Sequence, residues 1–171
     1  MPNLRPLSDE QAQGKAKALF DGLKQNIKMV PNIFRLMGHA PAVLEHTLGL
    51  NEAIQSNLDP KLRELAYLKA SQVLHCGYCH HYHQIFGKRA GLTDAQLREV
   101  DNFETSSAYS DLEKQVLRFA EQWTAKGKVD NEVLTRLTQT LSPQEMMTLA
   151  ATVGLANWTS RFNVVFGVEL P

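Results

Sequence analysis

The chain has 171 residues, 18 basic and 18 acidic side chains, zero net charge and 43% hydrophobic residues. That balance describes one folded domain with a proper core and excludes a disordered chain. It supplies no concentrated basic patch for nucleic acid, and no apolar run approaches the ~20 residues that span a bilayer.

Helix-start signals recur along the sequence, and strand signals are scarce. Ser8 opens a stretch in which Leu19, Leu23 and Ile27 recur every four residues, the spacing of one helical face. Pro41 suits the first turn of a segment carrying Val43, Leu44, Leu48 and Ile54. Asp59-Pro60 pairs an N-cap with a proline at the first helical position, where its missing N–H is not needed. Thr93 to Gln96 and Ser110 to Glu113 are capping boxes, in which hydroxyl and carboxylate or amide satisfy each other's orphan backbone donors. Asp130 begins a further short helix, and Ser142-Pro143-Gln144-Glu145 combines a capping box with a proline in the first turn. No alternating strand or tight hairpin signal interrupts them. The expectation is an all-α bundle of seven or eight helices in a single domain over 1–171. The linkers are Asn57-Leu58, Ala90-Gly91-Leu92 and Phe103 to Tyr109, all short. Several helices, the last above all, are apolar on more than one side, which predicts a homo-oligomer.

The N-terminus, MPNLRPLSDEQ, is not a signal peptide, so a cytoplasmic protein with reduced thiols is expected. That makes the two cysteines, Cys76 and Cys79, the unusual feature, with four of the six histidines between positions 75 and 83. Four readings compete. The cysteines could be small buried hydrophobes. They could form a structural disulfide, but the closed loop is so short that its stabilisation is only about 2 kcal/mol. Cys76, Cys79 and His83 could be zinc ligands, yet structural zinc sites draw a second pair from a distant loop, and His39 and His46 do not form one. The fourth reading is a redox-active pair, needing neither metal nor cofactor. Residues three apart on a helix have Cβ atoms ~5–6 Å apart, whereas a disulfide wants ~3.8 Å. A small shift at a helix start closes that gap, Gly77 eases it, and the N-terminal helix dipole favours thiolate.

His83 follows Cys79 by four residues, so its imidazole falls on the same helical face and suits proton transfer to or from sulfur. His80 and His81 read as surface side chains, and His75 is undecided. Glu64 sits in a stretch apolar around most of its circumference, where a carboxylate needs a partner, Lys61 being the nearest surface candidate. A single straight helix from Glu64 to Cys76 would hold them about 18 Å apart. A Glu–His–Cys relay therefore requires a sharp turn around His75 to Gly77.

Glu64-x11-Cys76-x2-Cys79-x3-His83 resembles the active-site signature of the alkylhydroperoxidase D-like branch of the carboxymuconolactone decarboxylase family at every spacing. The likeness is sharp over residues 60 to 90. The ending Asn157-Trp-Thr-Ser-Arg161-Phe-Asn163 followed by Gly167 to Pro171 is similar to peroxidase-related members. The resemblance implies an all-helical trimer or hexamer with a thiol peroxidase cycle. Cys79 would attack the peroxide, Cys76 would resolve the sulfenic acid as a disulfide, and an external dithiol reductant would reduce it. His83 would move the proton, oriented by Glu64. The best-known members carry histidine where this chain has Tyr78, a difference that bears on the relay. A lactone-decarboxylating lyase using Glu64 and His83, and a non-enzymatic redox-sensing module, are the alternatives.

Overall fold

The computed structural model describes residues 4–170, all helix and connecting loop, with no strand among them. The elements are α1 (Gly14–Ile27), α2 (Asn32–Met37), α3 (Pro41–Ala53), α4 (Pro60–Val73), α5 (Gly77–Arg89), α6 (Asp94–Arg98), a 3-10 turn at Val100–Asn102, α7 (Asp111–Lys126), α8 (Asn131–Thr140) and α9 (Pro143–Phe166). The all-α expectation holds, with nine α-helices among the described residues where seven or eight were expected. The short α2 accounts for the difference: Pro31 precedes it, and no side-chain cap announces it.

Local chemistry sets most of the helix starts. The Asp59 carboxylate accepts from the Lys61 and Leu62 amides at 2.8 and 3.3 Å. Thr93/Gln96, Ser110/Glu113 and Ser142/Glu145 each form the reciprocal capping box. Ser8 does not open α1. Its hydroxyl accepts from the Gln11 amide and its own amide donates to Gln11 Oε1, which closes a local turn; the helix begins later, at Gly14. The face of α1 that enters the core is Ala16 and Phe20, with Ile27 exposed.

Helix α4 is the centre, packing on α5, α7 and α9. Nine of its 14 residues are buried, from Leu62 to Ser71. Leu65 and Leu68 are fully enclosed, which contributes roughly 2–3 kcal/mol each. One apolar cluster joins α4 to α7, α8 and the first half of α9, through Leu65, Leu68, Phe119, Leu137 and Leu149. A second joins α1, α2, α3 and the end of α9, and it contains Tyr67, Cys76, Tyr78 and Cys79. Gly87 lets α5 meet the α6 segment closely: a Cβ there would lie 2.9 Å from Leu92 Cδ1 and 3.2 Å from Leu97 Cδ2. No helix among the described residues is long and apolar enough to cross a membrane.

Candidate active site

The required sharp turn comes at the end of α4. Leu74 caps that helix, His75 adopts the left-handed conformation at φ 53°, and the amides of His75 and Cys76 bond back to the carbonyls of Gln72 and Ser71 at 2.9 Å each. This is a Schellman closure with histidine where glycine is usual. The left-handed residue is thus His75 and not Gly77, whose Cβ position faces open space. Cys76 then caps α5, its sulfur accepting from the Cys79 amide at 3.3 Å. The reversal lays α5 back along α4 and brings residues 19 apart in sequence into contact.

Glu64 and His83 are those residues. Glu64 is 4% exposed, and its Oε2 lies 2.7 Å from His83 Nδ1. Its Oε1 accepts from Arg63 Nε at 3.1 Å, so Arg63, and not Lys61, is the cationic partner. The His83 ring stacks on Tyr67, centroids 3.5 Å apart and planes 13° apart, and meets Phe86 edge-on. Tyr67 is buried and hydrogen-bonded to Thr159 of α9; burial pushes its phenol far above the usual range, so it stays neutral. With Nδ1 committed to the carboxylate, His83 keeps Nε2 for proton transfer.

Both cysteines are free and buried, Cys76 at 2% and Cys79 at 5% exposure. The Cys79 thiol donating to the Cys76 sulfur, helped by the Cys79 amide and by Ser160 and Asn163, lowers the Cys76 thiol to about 6 against the opposing effect of burial. The same interaction, with burial and the neighbouring negative charge, pushes the Cys79 thiol well above its usual range. The pair therefore holds one readily lost proton and one tightly held proton. Asn163 Nδ2 donates to Cys79 Sγ at 3.2 Å. No hydrogen bond among the described residues joins His83 to either sulfur.

The four residues expected from spacing thus form two adjacent units, a Glu64–His83 pair and a Cys76–Cys79 pair, both on the α4–α5 hairpin. Tyr78 is 8% exposed and packs on Tyr82; burial raises its phenol, and its hydroxyl makes no hydrogen bond. A neutral phenol of that kind is no substitute for a histidine in proton transfer. His80 is half-buried, which lowers its pKa, and it pairs with Gln84 at 2.9 Å, while His75 and His81 are exposed. His39 pairs with the Arg5 carbonyl and His46 lies on α3. No three His, Cys, Asp or Glu side chains among the described residues gather to hold a metal. Sequence reasoning assigned no role to Tyr67, Thr159, Ser160 or Asn163. The signal for the last three was their place in the Asn157–Asn163 ending, polar residues inside an otherwise apolar α9; Tyr67 read as one more core residue of α4.

A family model described as the carboxymuconolactone decarboxylase family matches residues 41–122, which include the whole α4–α5 hairpin. Over this central stretch the chain is similar to the carboxymuconolactone decarboxylase family. The Escherichia coli (strain K12) protein YnjA, itself uncharacterized, is 31% identical over 118 residues, covering 68% of this chain and 64% of that relative's length. Among solved structures, a variant of debrominase Bmp8 in complex with 2,3,4-tribromopyrrole matches with a TM-score of 0.85 at 21% identity, over 100% of this chain and 92% of that one. The alkylhydroperoxidase AhpD core of a peroxidase-related protein from Ralstonia eutropha JMP134 matches with a TM-score of 0.80 at 16% identity, over 99% and 92%. At these identities the solved structures speak to the fold, which is AhpD-like. The paired thiols and the Glu–His pair of the hairpin lie inside the matched stretch and are the features that bear on function.

Proposed function

We propose that this protein is a thiol-dependent oxidoreductase that reduces hydroperoxides through Cys76 and Cys79, with Glu64–His83 moving protons and an external dithiol closing the cycle. The observation that carries it is the pair of free, buried cysteines at the start of α5, with Cys76 Sγ accepting from the Cys79 amide at 3.3 Å, on the same α4–α5 hairpin as the Glu64–His83 pair. A thiolate attacks the peroxide, the O–O bond breaks, and the departing alkoxide takes a proton from His83. The sulfenic acid formed condenses with the second thiol, forming the S–S bond and releasing water. Exchange with the external dithiol returns both thiols and oxidises the donor. Family resemblance gives the attack to Cys79. The helix-capping position of Cys76, whose sulfur accepts from the Cys79 amide, favours a second assignment, with Cys76 attacking and Cys79 resolving. The fold's likeness to a debrominase seen with a tribromopyrrole makes halogenated aromatics the second substrate class to assay.

Peroxide consumption with a dithiol donor tests the proposal. Turnover lost in both Cys76→Ser and Cys79→Ser supports it, and full turnover in Cys79→Ser overturns it. Sulfenate trapping in each single variant assigns the attacking sulfur. Oxidation of one equivalent without further turnover by any dithiol would indicate a redox sensor. Turnover of a carboxymuconolactone surviving loss of both thiols would indicate a lyase. We further propose a cytoplasmic homo-oligomer, trimer or hexamer. Its support is an apolar depression of about 430 Å³ between α3 and α9, edged by the exposed Val43, Leu50 and Trp158. Light scattering would measure the assembly directly.

A further inference from the structure

Helix α9 brings three polar side chains, Thr159, Ser160 and Asn163, into the second apolar cluster, at 6%, 0% and 3% exposure. Thr159 is satisfied by Tyr67 and by the Leu155 carbonyl. The other two are not. Ser160 Oγ is buried without any hydrogen bond, and Asn163 Oδ1 is likewise unpartnered while its Nδ2 donates to Cys79 Sγ. An orphaned buried hydroxyl is costly, and natural cores rarely keep one without a use. Asn163 Nδ2 already bonds to Cys79 Sγ, and Ser160, one turn earlier on the same face of α9, keeps a buried hydroxyl with no other partner; both side chains favour the charged form of the thiols.

We propose that Ser160 and Asn163 are catalytic residues forming a donor cradle for the thiolate of the Cys76–Cys79 pair, so that α9, and not His83, holds the charge of the reduced site. Each can aim an O–H or N–H at a developing sulfur anion without moving through solvent, as fixed donors do for other buried anions. This deepens the redox assignment above and rests on it. The ionisable side chain that feels both sulfurs is Tyr67 of α4, which burial keeps neutral, and the Glu64–His83 pair lies on the far side of it, stacked on its ring. The face of α9 that packs here carries Thr159, Ser160 and Asn163, none of them ionisable. Its contribution is therefore one of oriented dipoles, fixed at every pH at which the protein is folded.

Thiolate formation in the reduced protein reads the proposal without any need for turnover. The absorbance of thiolate near 240 nm, and the rate of iodoacetamide alkylation, are followed from about pH 4.5 to 9.5 in the native protein, Ser160→Ala, Asn163→Asp and His83→Gln. The native midpoint is expected near 6, the value at Cys76. Ser160→Ala should raise it by about one pH unit and slow alkylation at pH 6 several-fold. Asn163→Asp, which keeps the shape but faces the sulfur with a carboxylate, should raise it further. His83→Gln should leave it within about 0.3 unit. Should Asn163→Asp fail to fold, Ser160→Ala decides alone. A native-like midpoint in folded Ser160→Ala, or a shift in His83→Gln as large as that in Ser160→Ala, overturns the proposal. If the midpoints move as stated while peroxide is not consumed, the cradle stands and the peroxidase assignment falls.

Discussion

Replacing Glu64 by alanine is expected to cost about 3–5 kcal/mol of stability at pH 7, as breaking buried ion pairs does elsewhere. Its carboxylate is 4% exposed and accepts from His83 Nδ1 at 2.7 Å and from Arg63 Nε at 3.1 Å. Each charge-assisted hydrogen bond is worth about 1.5–3 kcal/mol, so the pair sets an upper limit of roughly 6. The His83 and Arg63 side chains, at 16% and 18% exposure, regain some hydration when the carboxylate is gone, which brings the cost down into the stated range. Glu64→Gln keeps the volume and one acceptor oxygen, so about 1–2 kcal/mol is expected. Urea denaturation of the reduced protein measures both. At an m-value of about 2 kcal/mol/M, the alanine variant should unfold roughly 2 M earlier. Combining Glu64→Ala with His83→Gln should give a cost smaller than the sum by about 1 kcal/mol or more. A loss below about 1 kcal/mol for Glu64→Ala, or full additivity in the double variant, would refute the picture of a dry, mutually dependent carboxylate–imidazole pair.

The remaining expectations concern the turn and the thiols. Cys76 is depressed in the folded state relative to a free thiol, so its contribution to stability is present above the ordinary thiol range and is lost as pH falls through about 6. The stability difference between reduced native protein and Cys76→Ser should therefore grow between pH 5.5 and pH 8, and a difference independent of pH in urea melts would contradict it. His75→Val should cost about 1–2 kcal/mol by thermal or urea unfolding, because a β-branched residue resists a φ of 53°, whereas His75→Gly should be nearly neutral. Gly77→Ala meets open space at the start of α5 and should stabilise the reduced protein by about 0.5–1 kcal/mol in the same measurement.

Helix starts were legible in the sequence wherever one side chain settles them. Asp59, Thr93, Ser110 and Ser142 all accept the amides that their positions imply. Ser8 misled because the same hydroxyl–amide chemistry also closes an isolated turn, and the residues beyond that turn decide whether a helix grows from it. The α4–α5 reversal was legible as a requirement, but its mechanism was not. Nothing local marks His75 as the left-handed residue, since glycine would do better and only the packing of α5 on α4 compensates. The Glu64–His83 pairing came from the resemblance to the family signature, while the residues alone pointed Glu64 to Lys61; Arg63 and His83 are its partners because α5 folds back on α4. Asn163 was out of reach because its contact with Cys79 spans 84 residues of sequence. Ser160 lies on a helix so apolar overall that a small hydroxyl reads as filler. Long-range polar contacts of this kind depend on how α9 crosses the hairpin, which no spacing rule encodes.

Cys76 and Cys79 belong to the second apolar cluster together with residues of α1, α2 and α3. Closing a bond between them draws two core side chains together, so oxidation acts on the same packing that holds these helices in place. The energies of folding and of electron transfer are then joined in one thermodynamic cycle. A substitution at Phe20 or Leu44, remote from the sulfurs, that destabilises the reduced form by about 1.4 kcal/mol more than the oxidised form would shift the reduction potential of the pair by about 30 mV. In the proposed redox cycle, the potential of the pair is set across the whole cluster as well as by the atoms that touch sulfur.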